Sequence, residues 1–126
     1  MTNLKIWKYS GLFLVFTGIL HTITALLLGG AIYLEIIRDG LFNALGDNYS
    51  RQFAFWFFVC GLFLILFGQT LHYYQKREQK PAPLYLGYGM LIFSIFGCIV
   101  VPKSGFWLFI PQALIIIIGN KKQKNK

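Results

Sequence analysis

The chain has 126 residues, of which 56% are hydrophobic and 18% aromatic, and it carries a formal net charge of +8. So much apolar sequence in so short a chain argues against a multidomain soluble protein and favours one membrane unit. The charged residues flank apolar segments, so we attribute the positive charge to membrane edges and expect no nucleic acid partner.

Four segments are apolar and long enough to sit in lipid, at residues 9–33, 53–74, 83–101 and 104–119. Lipid offers no water to satisfy backbone amides and carbonyls, so such segments become helices. The sequence therefore predicts an all-α membrane protein, an up-down four-helix transmembrane bundle that forms a single domain over residues 1–126. The fourth segment is short, about 24 Å at the helical rise, and Pro111 removes one of its amide donors.

The connections differ in length and character. Residues 35–52 alternate apolar and charged side chains, which predicts a short interfacial helix with Leu41, Phe42 and Leu45 on its apolar side. The loop at 75–82 is charged and broken by proline. The last connection, around Lys103, is only a few residues long, so the third and fourth helices should be antiparallel neighbours.

Basic residues predict the orientation. Nine of the twelve Lys and Arg residues lie at the two termini and in the 75–82 loop, whereas three of the four acidic residues lie on the other side. Because cytoplasmic segments are enriched in Lys and Arg, both termini should be cytoplasmic. The nine are Lys5, Lys8, Lys76, Arg77, Lys80, Lys121, Lys122, Lys124 and Lys126.

Small and polar residues recur about every seven positions within the predicted helices. This spacing is the seam of left-handed helix packing, where small residues permit close approach and polar ones bond across. The residues are Ser10, Thr17, His21 and Thr24; Gly61, Gly68 and His72; Gly87, Ser94 and Gly97; and Gly105, Gln112 and Gly119.

Counting from the outer boundary places His21, Ser94 and Gln112 in one layer, about 10 to 15 Å deep at the helical rise. An unpartnered His or Gln in hydrocarbon costs several kcal/mol, so all three should face the bundle interior. We expect His21 to bond Gln112, Ser94, Thr17 or Thr24, and we name these five residues as the ligand-binding or polar core. An intramembrane ionisable group is by default a functional candidate. The equally weighted alternative is that His21 is a structural residue whose hydrogen bonds fix the helix register.

The sequence does not offer the number or the placement of ligands that a haem or a metal site needs. His72 lies at the inner boundary, too far from His21 in depth for a bis-histidine haem, and one layer offers too few ligands for a metal. We therefore expect no metal, no cofactor and no assigned catalytic residue. Cys60 and Cys98 both lie within predicted spans, where packing is favoured over a disulfide.

Three stretches carry a family resemblance: Gly18-Ile-Leu-His21, Phe53-Ala-Phe-Trp-Phe-Phe, and the run from Pro102 to Pro111 that contains Ser-Gly-Phe-Trp. They resemble a family of small bacterial four-span integral membrane proteins with a domain of unknown function. The resemblance covers nearly the whole chain. It implies a multi-pass protein of the bacterial cytoplasmic (inner) membrane, and it carries no activity or functional residue.

The sequence leaves three functions open. The first is a non-enzymatic protein that binds or moves a small apolar or amphipathic molecule through the polar layer around His21. The second is an accessory or structural subunit whose glycine-rich faces dock on a second copy or a larger membrane partner. The third is an enzyme acting on a lipid with His21 as acid or base. Membrane lipids are partners in all three.

Overall fold

The structure is a computed structural model that describes residues 5–124. Within that range the fold is built from four α-helices, which confirms the all-helical class. We number them α1 (Ser10–Arg38), α2 (Tyr49–Glu78), α3 (Leu84–Val100) and α4 (Phe109–Lys124). Short 3-10 helices at Ile6–Tyr9 and Gly105–Leu108 lead into α1 and α4.

Two helical segments, Ile6–Arg38 and Tyr49–Glu78, are long and apolar enough to cross a membrane. They are longer than the predicted spans 9–33 and 53–74. The third helix is apolar but has 17 residues, which is about 25 Å at the helical rise.

Glycines allow α1 and α2 to pack closely along their length. A Cβ atom on Gly68 would lie 2.6 Å from the backbone nitrogen of Val15 and 2.8 Å from the carbonyl oxygen of Gly11. Gly18 faces Ile65 and the carbonyl of Gly61 at similarly short range. Since the close neighbours include backbone atoms, which cannot rotate away, these positions exclude larger side chains.

The helices α1 and α2 form the first hairpin. The helices α3 and α4 form the second hairpin, as the short connection between them predicted. Gly87 of α3 packs against Ile116 and Ile117 of α4, and Gly97 packs against the ring of Phe106. Ser104 begins the return by accepting a hydrogen bond from the amide of Phe106 at 3.4 Å. The two helices are therefore antiparallel neighbours.

The two hairpins meet near the start of α1. Gly119 of α4 lies against the Trp7 side chain, and the Asn120 side chain donates to the carbonyl of Ala82 at 2.7 Å. Leu71, Ala82 and Ile116 form a buried core there. These contacts gather residues 5–10, 75–84 and 119–124 at one end of the molecule, which we call the basic end.

The connection between α1 and α2, at the opposite end, is a series of turns, so the predicted interfacial helix is wrong. Left-handed backbone at Gly40, Leu41, Asn43 and Gly46 interrupts any helical ladder. Phe42 is 95% exposed. The segment is fastened by Arg51, which donates to Asp39 at 2.6 Å, Glu35 at 3.4 Å and the Ala44 carbonyl at 2.7 Å.

Candidate functional site

His21 lies at the contact between α1 and α2. Its Nε2 is 3.0 Å from the carbonyl oxygen of Phe57, and its ring centroid is 4.2 Å from the Phe57 ring centroid. A carbonyl only accepts, so Nε2 donates and carries the proton. The ring is thus half-buried and bonded to the backbone of the neighbouring helix, instead of to one of the expected polar side chains.

The predicted single layer of His21, Ser94 and Gln112 is wrong. The Gln112 amide donates to the carbonyl of Ser10 at 2.5 Å, and Ser10 begins α1. Eleven residues separate Ser10 from His21, which is about 16 Å at the helical rise. Counting inward from a shared outer boundary failed because α4 packs against the start of α1 whereas α1 continues far beyond it.

The other three predicted core residues bond within their own helices. The hydroxyls of Thr17 and Thr24 donate to the carbonyls of Phe13 and Leu20, and Ser94 donates to Met90. Thr17 and Ser94 are buried, whereas Thr24 is exposed. The structure therefore does not bring the five residues together into one site.

A different polar cluster lies at the basic end, centred on Gln75 of α2. The Gln75 side chain is 1% exposed. Its amide nitrogen donates to the carbonyl of Trp7 at 2.9 Å and to the hydroxyl of Ser10 at 2.6 Å. Its oxygen accepts from the amide of Gly11 at 3.3 Å. One side chain thus holds the start of α1 against the end of α2.

Ser10 links this cluster to the second hairpin. Its hydroxyl accepts from Gln75 and its carbonyl accepts from Gln112, so a single residue joins α2, α1 and α4. Gln112 is fully buried, and its side-chain oxygen has no partner among residues 5–124. Buried polar atoms are normally bonded. Within the described residues, the Gln112 side-chain oxygen is therefore an unused hydrogen-bond acceptor at this end of the molecule.

A cavity of about 180 Å³ opens beside the cluster. Two of its lining residues are bonded to each other, since the Lys8 ammonium donates to the Gln79 side chain at 2.9 Å. The Nδ1 atom of His72 is buried without a partner in the described part of the chain. The lining residues are Lys8, Tyr9, His72, Gln75, Lys76 and Gln79.

The chemistry of this cavity is that of cations and amides. Its lining offers two lysines, an imidazole and two side-chain amides but no carboxylate, so it suits an anionic or polar group. Over residues 5–124 no group of three or more His, Cys, Asp or Glu side chains could hold a metal. Cys60 and Cys98 are free.

The sequence pattern does not single out this cluster, although it carries one signal of it. Gln75 follows Gly61 and Gly68 at the same seven-residue spacing, which continues the packing seam of α2. From sequence, His72 is predicted to lie on the packing face of α2 at the inner boundary, and Lys8 is predicted only as a residue that sets topology. The seam shows which residues face another helix, but it does not show which helix end meets which.

Comparison with known proteins gives a family and no function. The family model described as "Family of unknown function (DUF6463)" matches residues 5–123, so the chain belongs to this family. No curated protein and no solved structure gives a significant match.

Proposed function

We propose that this DUF6463 chain is a multi-pass protein of the bacterial cytoplasmic membrane that binds a small amphipathic molecule at its basic end. The cavity beside Gln75 carries the proposal, because it joins the buried amide of Gln75 and the exposed amide of Gln79 to two lysines at the end of the bundle. Around it the helices expose large apolar side chains such as Leu12 and Tyr73. An amphipathic molecule would place its polar group in the cavity and its apolar part along these helices.

In the proposed topology all four helices cross the membrane and both termini are cytoplasmic. Two helical segments are long and apolar enough to cross a membrane. The third is about 25 Å long, close to the hydrocarbon thickness of about 30 Å, and local thinning accommodates the rest. The excess of basic residues at the basic end supports a cytoplasmic position for that end.

The binding region proposed here replaces the layer around His21. The Nε2–H group of His21 donates a hydrogen bond to the Phe57 carbonyl. His21 is not among the residues that line the cavity. We therefore assign His21 to helix packing.

Cysteine labelling in intact cells tests the topology. Asn48→Cys and Lys124→Cys are introduced separately after Cys60 and Cys98 are replaced by alanine, and a membrane-impermeant maleimide is added. We expect labelling at position 48 and protection at position 124 until the cells are opened. The reverse pattern would reject the orientation.

A blocking substitution tests the binding. Lys76→Trp places a ring at the cavity, whereas Arg77→Trp makes the same charge change one residue away, outside the lining. Protein purified in mild detergent is analysed by mass spectrometry for retained small molecules. We expect wild type and Arg77→Trp to retain an amphipathic molecule that Lys76→Trp loses. Equal retention by all three proteins, or none by wild type, would contradict the proposal.

One observation favours the accessory-subunit alternative. A Cβ atom added to Gly89 of α3 would meet no neighbour within 4 Å, and Ile92 and Phe96 beside it are exposed. Five of the six glycines of α1 and α2, such as Gly68, are occupied by contacts within the chain, and Gly30 of α1 is open like Gly89. A docking face would therefore lie beside Gly89 on α3 or beside Gly30 on α1. Gly89→Leu would abolish a larger complex on a native gel if this function holds.

A further inference from the structure

We propose that the cavity at the basic end binds a phosphate group, which the headgroup of an anionic lipid supplies, with Lys8 and Lys76 as its cationic contacts. The inference rests on the proposed function in that it uses the same cavity. It adds the chemical class of the group that is bound.

The charge of the cavity is uncompensated. The two ion pairs found over residues 5–124 both belong to Arg51, at the opposite end of α2. Lys8 is held by a neutral partner, the Gln79 side chain, and Lys76 takes part in neither pair. An anion entering the cavity therefore meets two cations that form no ion pair with a carboxylate of residues 5–124.

The surroundings add to this charge. Because Gly119 lies against Trp7 and Asn120 bonds Ala82, the lysines at the end of α4 lie at the same end as the cavity. Beside the acidic Glu78, the further basic residues gathered there are Lys5, Arg77, Lys80, Lys121, Lys122 and Lys124. Their summed field raises the local concentration of anions.

An unpartnered ring nitrogen supplies the independent observation. The His72 Nδ1 atom is buried and has no partner among the described residues, although His72 lines the cavity. Gly11 packs directly against the backbone of His72, which fixes the position of the residue. With a proton on Nδ1, the ring would donate a hydrogen bond to a phosphate oxygen alongside the lysines.

The depth of the cavity favours a lipid as the source of the phosphate. Tyr9 lines the cavity and is 64% exposed. Tyr73 and Tyr85, which are close in sequence to the 75–84 part of the basic end, are also exposed. Exposed tyrosines mark the headgroup level of a membrane. Basic pockets between membrane helices on the cytoplasmic side are sites where anionic headgroups bind.

The test measures stabilisation of the full chain by lipid. Protein in phosphatidylcholine nanodiscs receives increasing phosphatidylglycerol at constant total lipid, and the unfolding temperature is followed to give an apparent affinity. Lys8→Gln/Lys76→Gln is compared with Lys121→Gln/Lys122→Gln, which removes the same charge outside the cavity. We expect the first pair to weaken the affinity about 25-fold, from about fivefold per lysine. The second should change it less than threefold.

Three outcomes would decide the matter differently. Equal weakening by both double variants would overturn the site in favour of diffuse surface charge. Stabilisation of wild type by inorganic phosphate as strong as by phosphatidylglycerol would support the anion site and assign it to a free phosphate. No stabilisation by either, while Lys76→Trp still releases a retained molecule, would overturn this inference and leave the proposed function standing.

If the double variant does not fold, Lys76→Gln alone and Lys8→Arg/Lys76→Arg replace it. Lys76 is exposed, so its single substitution leaves the packing intact. The single variant should lose about fivefold in affinity, and the arginine variant should keep the wild-type value. An unchanged affinity in Lys76→Gln would count against the site.

Discussion

Two regions of the molecule bury polar side chains between helices, and they differ in what remains unsatisfied. At the middle of α1, His21 makes one hydrogen bond to the Phe57 carbonyl and stacks near its ring. At the basic end, Gln75 and Gln112 join three helices, and two nearby atoms, Gln112 Oε1 and His72 Nδ1, have no partner within residues 5–124.

The difference separates packing from binding. A polar group bonded to the backbone of the facing helix fixes the register of that pair. A cluster that keeps unpartnered atoms beside a cavity retains capacity for one. An ionisable residue within a membrane helix is a default functional candidate, but here His21, whose Nε2 is bonded to the Phe57 carbonyl and which does not line the cavity, is the weaker candidate.

The largest effect that we predict comes from the helix contact common to both regions. Gly68→Leu would drive a side chain into the backbone of Val15 and Gly11, and overpacking of this kind costs about 3 kcal/mol. We expect the free energy of unfolding in detergent to fall by that amount. Gly89→Leu is the matched control, since its Cβ meets open space, and it should be neutral or slightly stabilising. Equal losses would show that α1 and α2 do not pack through Gly68.

The second-largest predicted effect on stability concerns the polar cluster at the basic end. Gln75→Leu keeps the volume but removes three hydrogen bonds and leaves the Trp7 carbonyl without its side-chain donor. Leaving buried polar groups unpaired costs about 2 kcal/mol. Unfolding experiments should show this loss, whereas Gln123→Leu, at an exposed position, should not change stability. A Gln75→Leu protein as stable as wild type would mean that the cluster does not hold the helix ends.

The smallest effect belongs to His21. His21→Leu loses one hydrogen bond across α1 and α2, which in membrane proteins is worth about 0.6 kcal/mol. We expect a small drop in stability and unchanged retention of the bound molecule, so any cellular phenotype should follow protein abundance. Loss of retention at normal abundance would restore His21 as a ligand residue.

Local pattern predicted much of the fold but not the way in which the hairpins meet. Apolar length and the tight turn near Lys103 were enough to predict the helices and the α3–α4 pair, because both depend on neighbouring residues. The placement of Gln112 beside Ser10 depends on contacts over one hundred residues apart in sequence, such as Gly119 on Trp7. Helical periodicity gives a face, and it carries no information on the relative height of two helices.

The same limit explains the connection between α1 and α2. Its amphipathic pattern predicted a helix, but glycines and left-handed residues, together with the carbonyl bond from Arg51 to Ala44, form turns instead. In the sequence, Arg51 is only a charge on the outer side. Its role depends on the chain folding back, and a linear pattern does not show this.

The central claim is that the polar site of this protein lies at the basic end and not around His21, and the position of Gln112 tests it most directly. Gln112→Cys is paired with Ser10→Cys in one protein and with His21→Cys in another, both with Cys60 and Cys98 replaced by alanine. A short bifunctional thiol reagent is applied in native membranes. Our account predicts an intramolecular cross-link between positions 10 and 112 and none between 21 and 112. Cross-linking of positions 21 and 112, with none at 10 and 112, would contradict it.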